Sequence, residues 1–440
     1  MNEIDTKSQD IKSKKLSLNK VLTFPHKVKL FFESTGPGVV TGAADDDPSG
    51  IGTYTIAGAQ LGTRLLWTAV LTWPLMATVQ MACARIGMVT GEGLASALEK
   101  KLPRPILVFF CFALFLANTL NVGADLSAMA DSAEMLSGVS SHIFLVAFGV
   151  LISVATVELR YYHIAKVLKW LALTLFAYIL TAFLIGPNWK DVLADTFVPH
   201  WPTESAEWGT LVAILGTTIS PYLFFWQASQ EVEEEKASGR DTVEKRQGAT
   251  PKEILTRRYD VGVGTFFSNL VMYFVILAAA LTLHKNGLTN IQTSKEAAAA
   301  LAPLAGKFAS LLYTVGIIGV GLLAIPTLTG SAAYALAETF GWDQGLDAKL
   351  RKAKAFYAVV ISSGVFAIIF DFIDFSPIRA LYWSAVINGL LAPFLLLAIL
   401  WVLNDNKIML NQSCSKYSKI LIAITTAFMF AAAIGMFVYQ

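Results

Sequence analysis

The stretch Ala43-Ala44-Asp45-Asp46-Asp47-Pro48-Ser49-Gly50 decides how this chain is read. It lies inside an apolar run from about 35 to 62, long enough to cross the ~30 Å hydrocarbon core of a bilayer. Proline removes a backbone donor and clashes with the preceding turn, so a helix should open there. Open backbone survives at membrane depth only where it lines a cavity or is buried in protein, and an ionised carboxylate beside it needs a cation or water to offset its charge. A second run, near 207–232, repeats the device with Gly216-Thr217-Thr218-Ile219-Ser220-Pro221.

The rest of the chain is built of similar material. Its 440 residues are 55% hydrophobic and only 15% charged, more apolar surface than one water-soluble interior can hide. Further spans fall near 64–90, 104–133, 141–158, 161–186, 257–284, 305–338, 353–373, 377–404 and 417–439, giving about eleven. Lys100, Lys101 and Arg104 follow the second span, Arg160 and Lys166 the fourth, a basic cluster from Lys236 to Arg258 the sixth, and Lys349 to Lys354 the eighth. The connection from Ser137 to His142 has no Lys or Arg, and that after the fifth span has Lys190 among several acids. By the positive-inside rule the N-terminus is expected in the cytoplasm and the C-terminus outside; the expected membrane is a bacterial inner membrane. Residues 1–34, rich in Lys, lack the features of a signal peptide and read as a disordered basic arm. The net charge of +2 adds little, and Cys83, Cys111 and Cys414 are too few and scattered for a disulfide framework.

The two interrupted spans open two successive five-helix sets. Matched broken helices at equivalent positions point to an inverted-repeat transporter with its site at the membrane midplane. The expected organisation is all-α: a first five-helix repeat at 35–186, an extracellular loop at 187–206, a second repeat at 207–404, and a loop with an added helix at 405–440. Two plainer readings compete: the prolines merely kink their helices, or the acids line the break as water-solvated groups. Symmetric placement argues against the first. Against the second, a divalent cation accounts for both the acids and the freed carbonyls, because hard ions prefer oxygen ligands. No histidine lies mid-span, which disfavours a histidine-based transition-metal site, and no nucleophile–base pair or phosphate loop suggests an enzyme.

At the level of motif the chain resembles the natural resistance-associated macrophage protein (NRAMP) family of divalent metal transporters. The resemblance rests on Gly36-Pro37-Gly38 leading to Asp47-Pro48-Ser49-Gly50, on Ala84-Arg85-Ile86-Gly87-Met88-Val89-Thr90-Gly91, and on Val386-Ile387-Asn388-Gly389-Leu390-Leu391-Ala392-Pro393. It implies a LeuT-type fold. The family's metal-binding aspartate is matched by Asp47, but its nearby asparagine is Gly50, and the methionine and histidine of its sixth-helix motif are Ser220 and Tyr222. Asp125-Leu126-Ser127-Ala128 keeps an aspartate of the third-helix pattern and loses a glutamate, and a tenth-helix glutamine is Ala385. These departures resemble the NRAMP-related magnesium transporters.

The substitutions favour hard ions on chemical grounds too. Replacing a thioether by the Ser220 hydroxyl removes the ligand that favours softer metals. Gly50, Ser220, Ala128 and Ala385 are small, so a roomy pocket suited to partly hydrated Mg²⁺ is expected. The expected ligands are Asp47, the carbonyls of Ala44 and Thr217, and the Ser220 hydroxyl, with Asp125 behind them and Asp45 and Asp46 alongside. Glu231, Glu233, Glu234 and Glu235 read as a solvated helix end. The expected activity is uptake of Mg²⁺, with Mn²⁺ also accepted, without proton coupling. The rivals are a proton-coupled manganese or iron importer, an amino-acid or sodium symporter of the same fold, and a cation channel. The ion is cargo rather than cofactor; beyond it and the lipid bilayer, neither nucleic acid nor an obligate protein partner is implied.

Overall fold

A computed structural model describes residues 37–158, 174–346, 348–371 and 376–439. The expected tail 1–34, Arg160, Lys166 and the beginning of the fifth span lie outside the described residues. Among the described residues every regular element is helical.

The first span is two helices. α1 (Pro37–Asp45) and α2 (Pro48–Leu61) are separated by Asp46 and Asp47. Asp47 is the N-cap of α2: its backbone is extended (φ −68°, ψ 168°), its carboxylate accepts from the Gly50 amide, and Pro48 takes the first helical position. An acceptor at the cap followed by a proline that needs no donor is a helix start, so Asp-Pro restarts the helix rather than kinking it.

α3 (Leu66–Thr90) ends on Gly91 in the left-handed conformation (φ 67°), and the short α4 (Leu94–Glu99) leads to α5 (Arg104–Ser137) and α6 (Ser141–Glu158). α7 (Phe176–Ile185) is the described part of the fifth span. The loop expected at 187–206 contains α8 (Trp189–Phe197), whose amphipathic start is capped by Asn188. The sixth span is again divided, into α9 (Ser205–Thr218) and α10 (Pro221–Ala237), with Ser220 as the N-cap residue of α10 and Pro221 next.

After α11 (Val243–Arg246), α12 (Pro251–Thr282) starts earlier than the hydropathy suggests, because Thr250 and Glu253 form a capping box around Pro251. The short α13 (Ser294–Ala298) and α14 (Ala302–Ala305) precede α15 (Ala309–Phe340). α16 (Lys354–Asp371), α17 (Pro377–Leu403) and α18 (Lys416–Val438) complete the bundle.

Eight helical segments among the described residues are long and apolar enough to cross a membrane, and α7 and α16 are shorter apolar helices. The divided span α9–α10 is the most enclosed, with 94% of its apolar window buried, against 22% for α6 and 33% for α18. The broken helices therefore form the centre of the bundle, and α6 and α18 face outward. Glycine makes the central contacts close. A Cβ on Gly42 would stand 2.4 Å from the Gly264 carbonyl carbon, one on Gly58 2.3 Å from the Ile276 carbonyl oxygen, and one on Gly216 2.0 Å from the Ala385 carbonyl oxygen. Such backbone-to-backbone approach is how helices pack when lipid removes most of the hydrophobic driving force. It presses α12 along both halves of the first span and α17 against α9.

Candidate metal site at the two helix breaks

Asp47 faces α5. One carboxylate oxygen accepts from the Gly50 amide at 2.6 Å and the other from the Asn121 side-chain amide at 3.0 Å. Asn121 in turn accepts from the Ser384 hydroxyl at 2.6 Å, and the hydroxyls of Ser384 and Ser49 stand 3.1 Å apart. Asp125, one turn along α5 from Asn121, accepts from the Ser49 amide at 3.1 Å through one oxygen; its other oxygen has no hydrogen-bond partner. Asp47 and Asp125 thus grip the first turn of α2 from two directions. The positive end of that helix is favourable for both.

Asp45 and Asp46 turn the other way. The Ser268 hydroxyl of α12 lies 2.5 Å from Asp45 and 3.2 Å from Asp46. The three acids, adjacent in sequence, therefore do not converge. Among the described residues no group of three His, Cys, Asp or Glu side chains is arranged to hold a metal. The other polar groups at the two breaks are hydroxyls and carbonyls.

At the second break the Ser220 hydroxyl lies 2.7 Å from the Gly216 carbonyl and 2.6 Å from the Thr217 carbonyl, so its hydrogen is committed to its own chain and its lone pairs face away. The Thr217 hydroxyl meets that of Tyr54 at 3.2 Å. Tyr222 donates to the Ala44 carbonyl at 3.2 Å, joining the two breaks directly. The contact takes one of the two acceptor directions of the Ala44 carbonyl, as the Ser220 hydroxyl takes one of the Thr217 carbonyl. In this conformer the groups at the breaks are enclosed: Ala44, Asp45 and Asp125 are fully buried, and Asp46, Asp47, Thr217 and Ser220 nearly so. At Gly50 a Cβ would meet the Asp45 carbonyl, the Asp47 carboxylate and the Tyr54 ring at 3.4 Å each, ordinary contact with little to spare.

Asn121, Ser49, Ser384 and Ser268 complete the polar framework, and none was singled out from sequence. The one signal for Asn121 was its position one helical turn before Asp125, which puts both on one face of α5. The acids closing α10 also depart from expectation. Glu231 is buried rather than solvated, and Arg257, expected in a loop, is a buried residue of α12 paired with it.

Two broken helices meeting at a buried polar site within an all-helical bundle define an integral membrane transporter of the LeuT type rather than an enzyme. The chain belongs to the natural resistance-associated macrophage protein-like family, which it matches over residues 38–439. It is 28% identical over 322 residues to the divalent metal cation transporter MntH of Erwinia tasmaniensis, covering 69% of this chain and 71% of that one. The manganese transporter of Eremococcus coleocola has the same fold, with a TM-score of 0.71 at 17% identity over 94% of this chain and 87% of that one. Mhp1, a nucleobase-cation-symport-1 family transporter, aligns with a TM-score of 0.55 at 14% identity, covering 92% and 90%.

Proposed function

We propose that this protein takes up divalent metal cations by alternating access, that Mg²⁺ is its preferred cargo and that Mn²⁺ is also carried. The observation that carries the reading is the buried Asp47 carboxylate at the first break, beside a second break whose polar groups are hydroxyls and carbonyls. Its carboxylate accepts from the Gly50 and Ser49 amides and from Asn121, which leaves acceptor capacity for an ion. Ser220, with its hydrogen turned to its own helix, presents lone pairs where a thioether would favour a softer metal. In this reading Asp47, Ser220 and the Thr217 carbonyl hold the ion, partly through water. The Ala44 carbonyl joins them, Gly50 leaves room for a hydration shell, and Asp125 stands behind. Asp45 and Asp46 hold the break against α12.

The accompanying topology places the two repeats at 35–186 and 207–404, separated by 187–206, with 405–440 as an addition. It puts the N-terminus in the cytoplasm and the C-terminus outside a bacterial inner membrane. Loop charge supports this arrangement.

A second reading, a proton-coupled Mn²⁺ or Fe²⁺ importer, is favoured by the names of the relatives and by the partnerless oxygen of buried Asp125, a carboxyl able to carry a proton. Calorimetric titration and proteoliposome uptake with Mg²⁺ and Mn²⁺ separate the two. Saturable Mg²⁺ uptake that is lost in folded Asp47→Ala supports the first reading; uptake of Mn²⁺ with no response to Mg²⁺ overturns it.

A further inference from the structure

The end of the bundle where α1 begins is closed by one buried guanidinium. Arg257 Nε lies 2.7 and 2.8 Å from the two oxygens of Glu231, Nη1 lies 2.6 Å from Asp260, and Nη2 is bonded to Glu234. Asp260 also accepts from the backbone amides of Gly38 at 2.7 Å and Val39 at 3.2 Å. The first amides of a helix have no partner within it, and here they are satisfied by a residue of another helix. One side chain therefore ties the start of α1, the far part of α10 and α12 together. Glu231 lies roughly 15 Å along α10 from its break, at 1.5 Å per residue.

We propose that Arg257 is the latch of this end of the transporter and sets its resting conformation. A passage from the breaks toward this end requires α1 or α10 to leave α12. Leaving by α1 strips the Asp260 cap from Gly38 and Val39, and leaving by α10 pulls Glu231 and Glu234 off the guanidinium. Either route breaks contacts at Arg257 or at the aspartate it holds. The opposite end is held differently. Arg64 at the end of α2 pairs with buried Glu207 at the start of α9 at 2.5 Å, and the Arg64 side chain is 46% exposed; Arg257 is 9% exposed and its partners Glu231 and Asp260 are buried, with only Glu234 exposed, at 53%. Water screens an exposed pair and replaces its hydrogen bonds when it parts, whereas breaking a buried pair leaves uncompensated charge. The Arg64 end therefore opens more readily, and the resting transporter is closed at the Arg257 end.

The test is conformational and uses no metal, so its result is independent of which ion is carried. Val261 is buried beneath Gly38, whose Cβ would stand 2.6 Å from the Val261 amide. In full-length protein lacking Cys83, Cys111 and Cys414, the reporter Val261→Cys is exposed to a membrane-impermeant maleimide in proteoliposomes. The expected result is labelling at least tenfold faster with Arg257→Gln and unchanged with Lys236→Ala, which removes the neighbouring pair with Glu233 and leaves Arg257 and its three acids in place. A parallel sample retaining buried Cys111 as its only thiol must stay unlabelled, which shows that the bundle remains folded. Equal Val261→Cys labelling in folded wild-type and Arg257→Gln backgrounds overturns the proposal. Should Arg257→Gln not fold with its acids uncompensated, Arg257→Gln combined with Glu231→Gln removes the guanidinium together with a partner, and the same two outcomes decide.

Discussion

At the residue scale, Asn121 carries the sharpest expectation that motif reading does not supply. Its amide holds one oxygen of Asp47 and its carbonyl receives Ser384, so it orients the carboxylate from α5. A hydrogen bond to a charged group contributes about 1.5–3 kcal/mol, so Asn121→Ala should weaken ion binding by roughly tenfold to a hundredfold, read by calorimetric titration. Affinity within a factor of two of wild type would remove Asn121 from the site. Selectivity is tested by Gly50→Asn together with Ser220→Met, which adds a soft ligand and fills the space beside Asp47. Cd²⁺ should then compete more strongly against Mg²⁺ uptake, and unchanged competition in the folded double variant would refute the hard-site reading. Asp47 was legible because an acid before proline inside an apolar span has few structural explanations. Ser268 and Ser384 were not, since a lone serine on an apolar helix shows no partner until the helices are packed. The same limit hid the division among the acids: sequence gives their adjacency, whereas α12 on one side and α5 on the other decide which way each turns.

At the scale of elements, the close packing makes its own prediction. The Gly216 position meets the Ala385 carbonyl oxygen and the Gly389 amide, and a Cβ on Gly389 would stand 2.4 Å from the Val212 carbonyl oxygen. Gly216→Val or Gly389→Val must push α9 and α17 apart, at a cost of about 1–3 kcal/mol or more. Thermal unfolding of the purified protein should fall by several degrees or the monodisperse peak should be lost. Gly262→Ala, where a Cβ meets nothing within 4 Å, should leave it unchanged. The connection before α18 offers a pH test outside the membrane. Lys101, at 2.5 Å, together with the Lys407 and Ile408 amides, holds the Asp405 carboxyl down to about 2. A depressed carboxyl contributes stability that is fully present above its unfolded value of about 3.9 and is lost as pH falls through about 2. The Asp405→Asn variant should therefore show the same dependence of melting temperature on pH as wild type between pH 5 and 8. Helix order was readable from hydropathy and loop charge, and the early start of α12 was written in Thr250, Pro251 and Glu253. α8, α13 and α14 escaped because a window of about 20 residues passes over helices that do not span.

At the scale of the whole molecule, the remaining expectation is that transport does not move protons. The family resemblance places a histidine and a glutamate on the proton route, at positions occupied here by Tyr222 and Ala128. Tyr222 is instead committed to bridging the two breaks through the Ala44 carbonyl. Energetically, coupling is unnecessary: a doubly charged ion gains about 4.6 kcal/mol per 100 mV of inside-negative potential, twice the ~2.3 kcal/mol of a single charge. At about 1.4 kcal/mol per factor of ten, that sustains roughly a thousandfold accumulation. The acid that challenges this expectation is Asp125, because its partnerless oxygen stands on the same helix face as the group that orients Asp47. Proteoliposomes loaded with a pH dye, with the membrane potential clamped and a Mg²⁺ gradient imposed, should show metal entry without acidification. Proton influx that tracks metal influx in wild type and disappears in Asp125→Asn, while metal entry continues, would assign the proton route to Asp125 and establish the coupled reading instead.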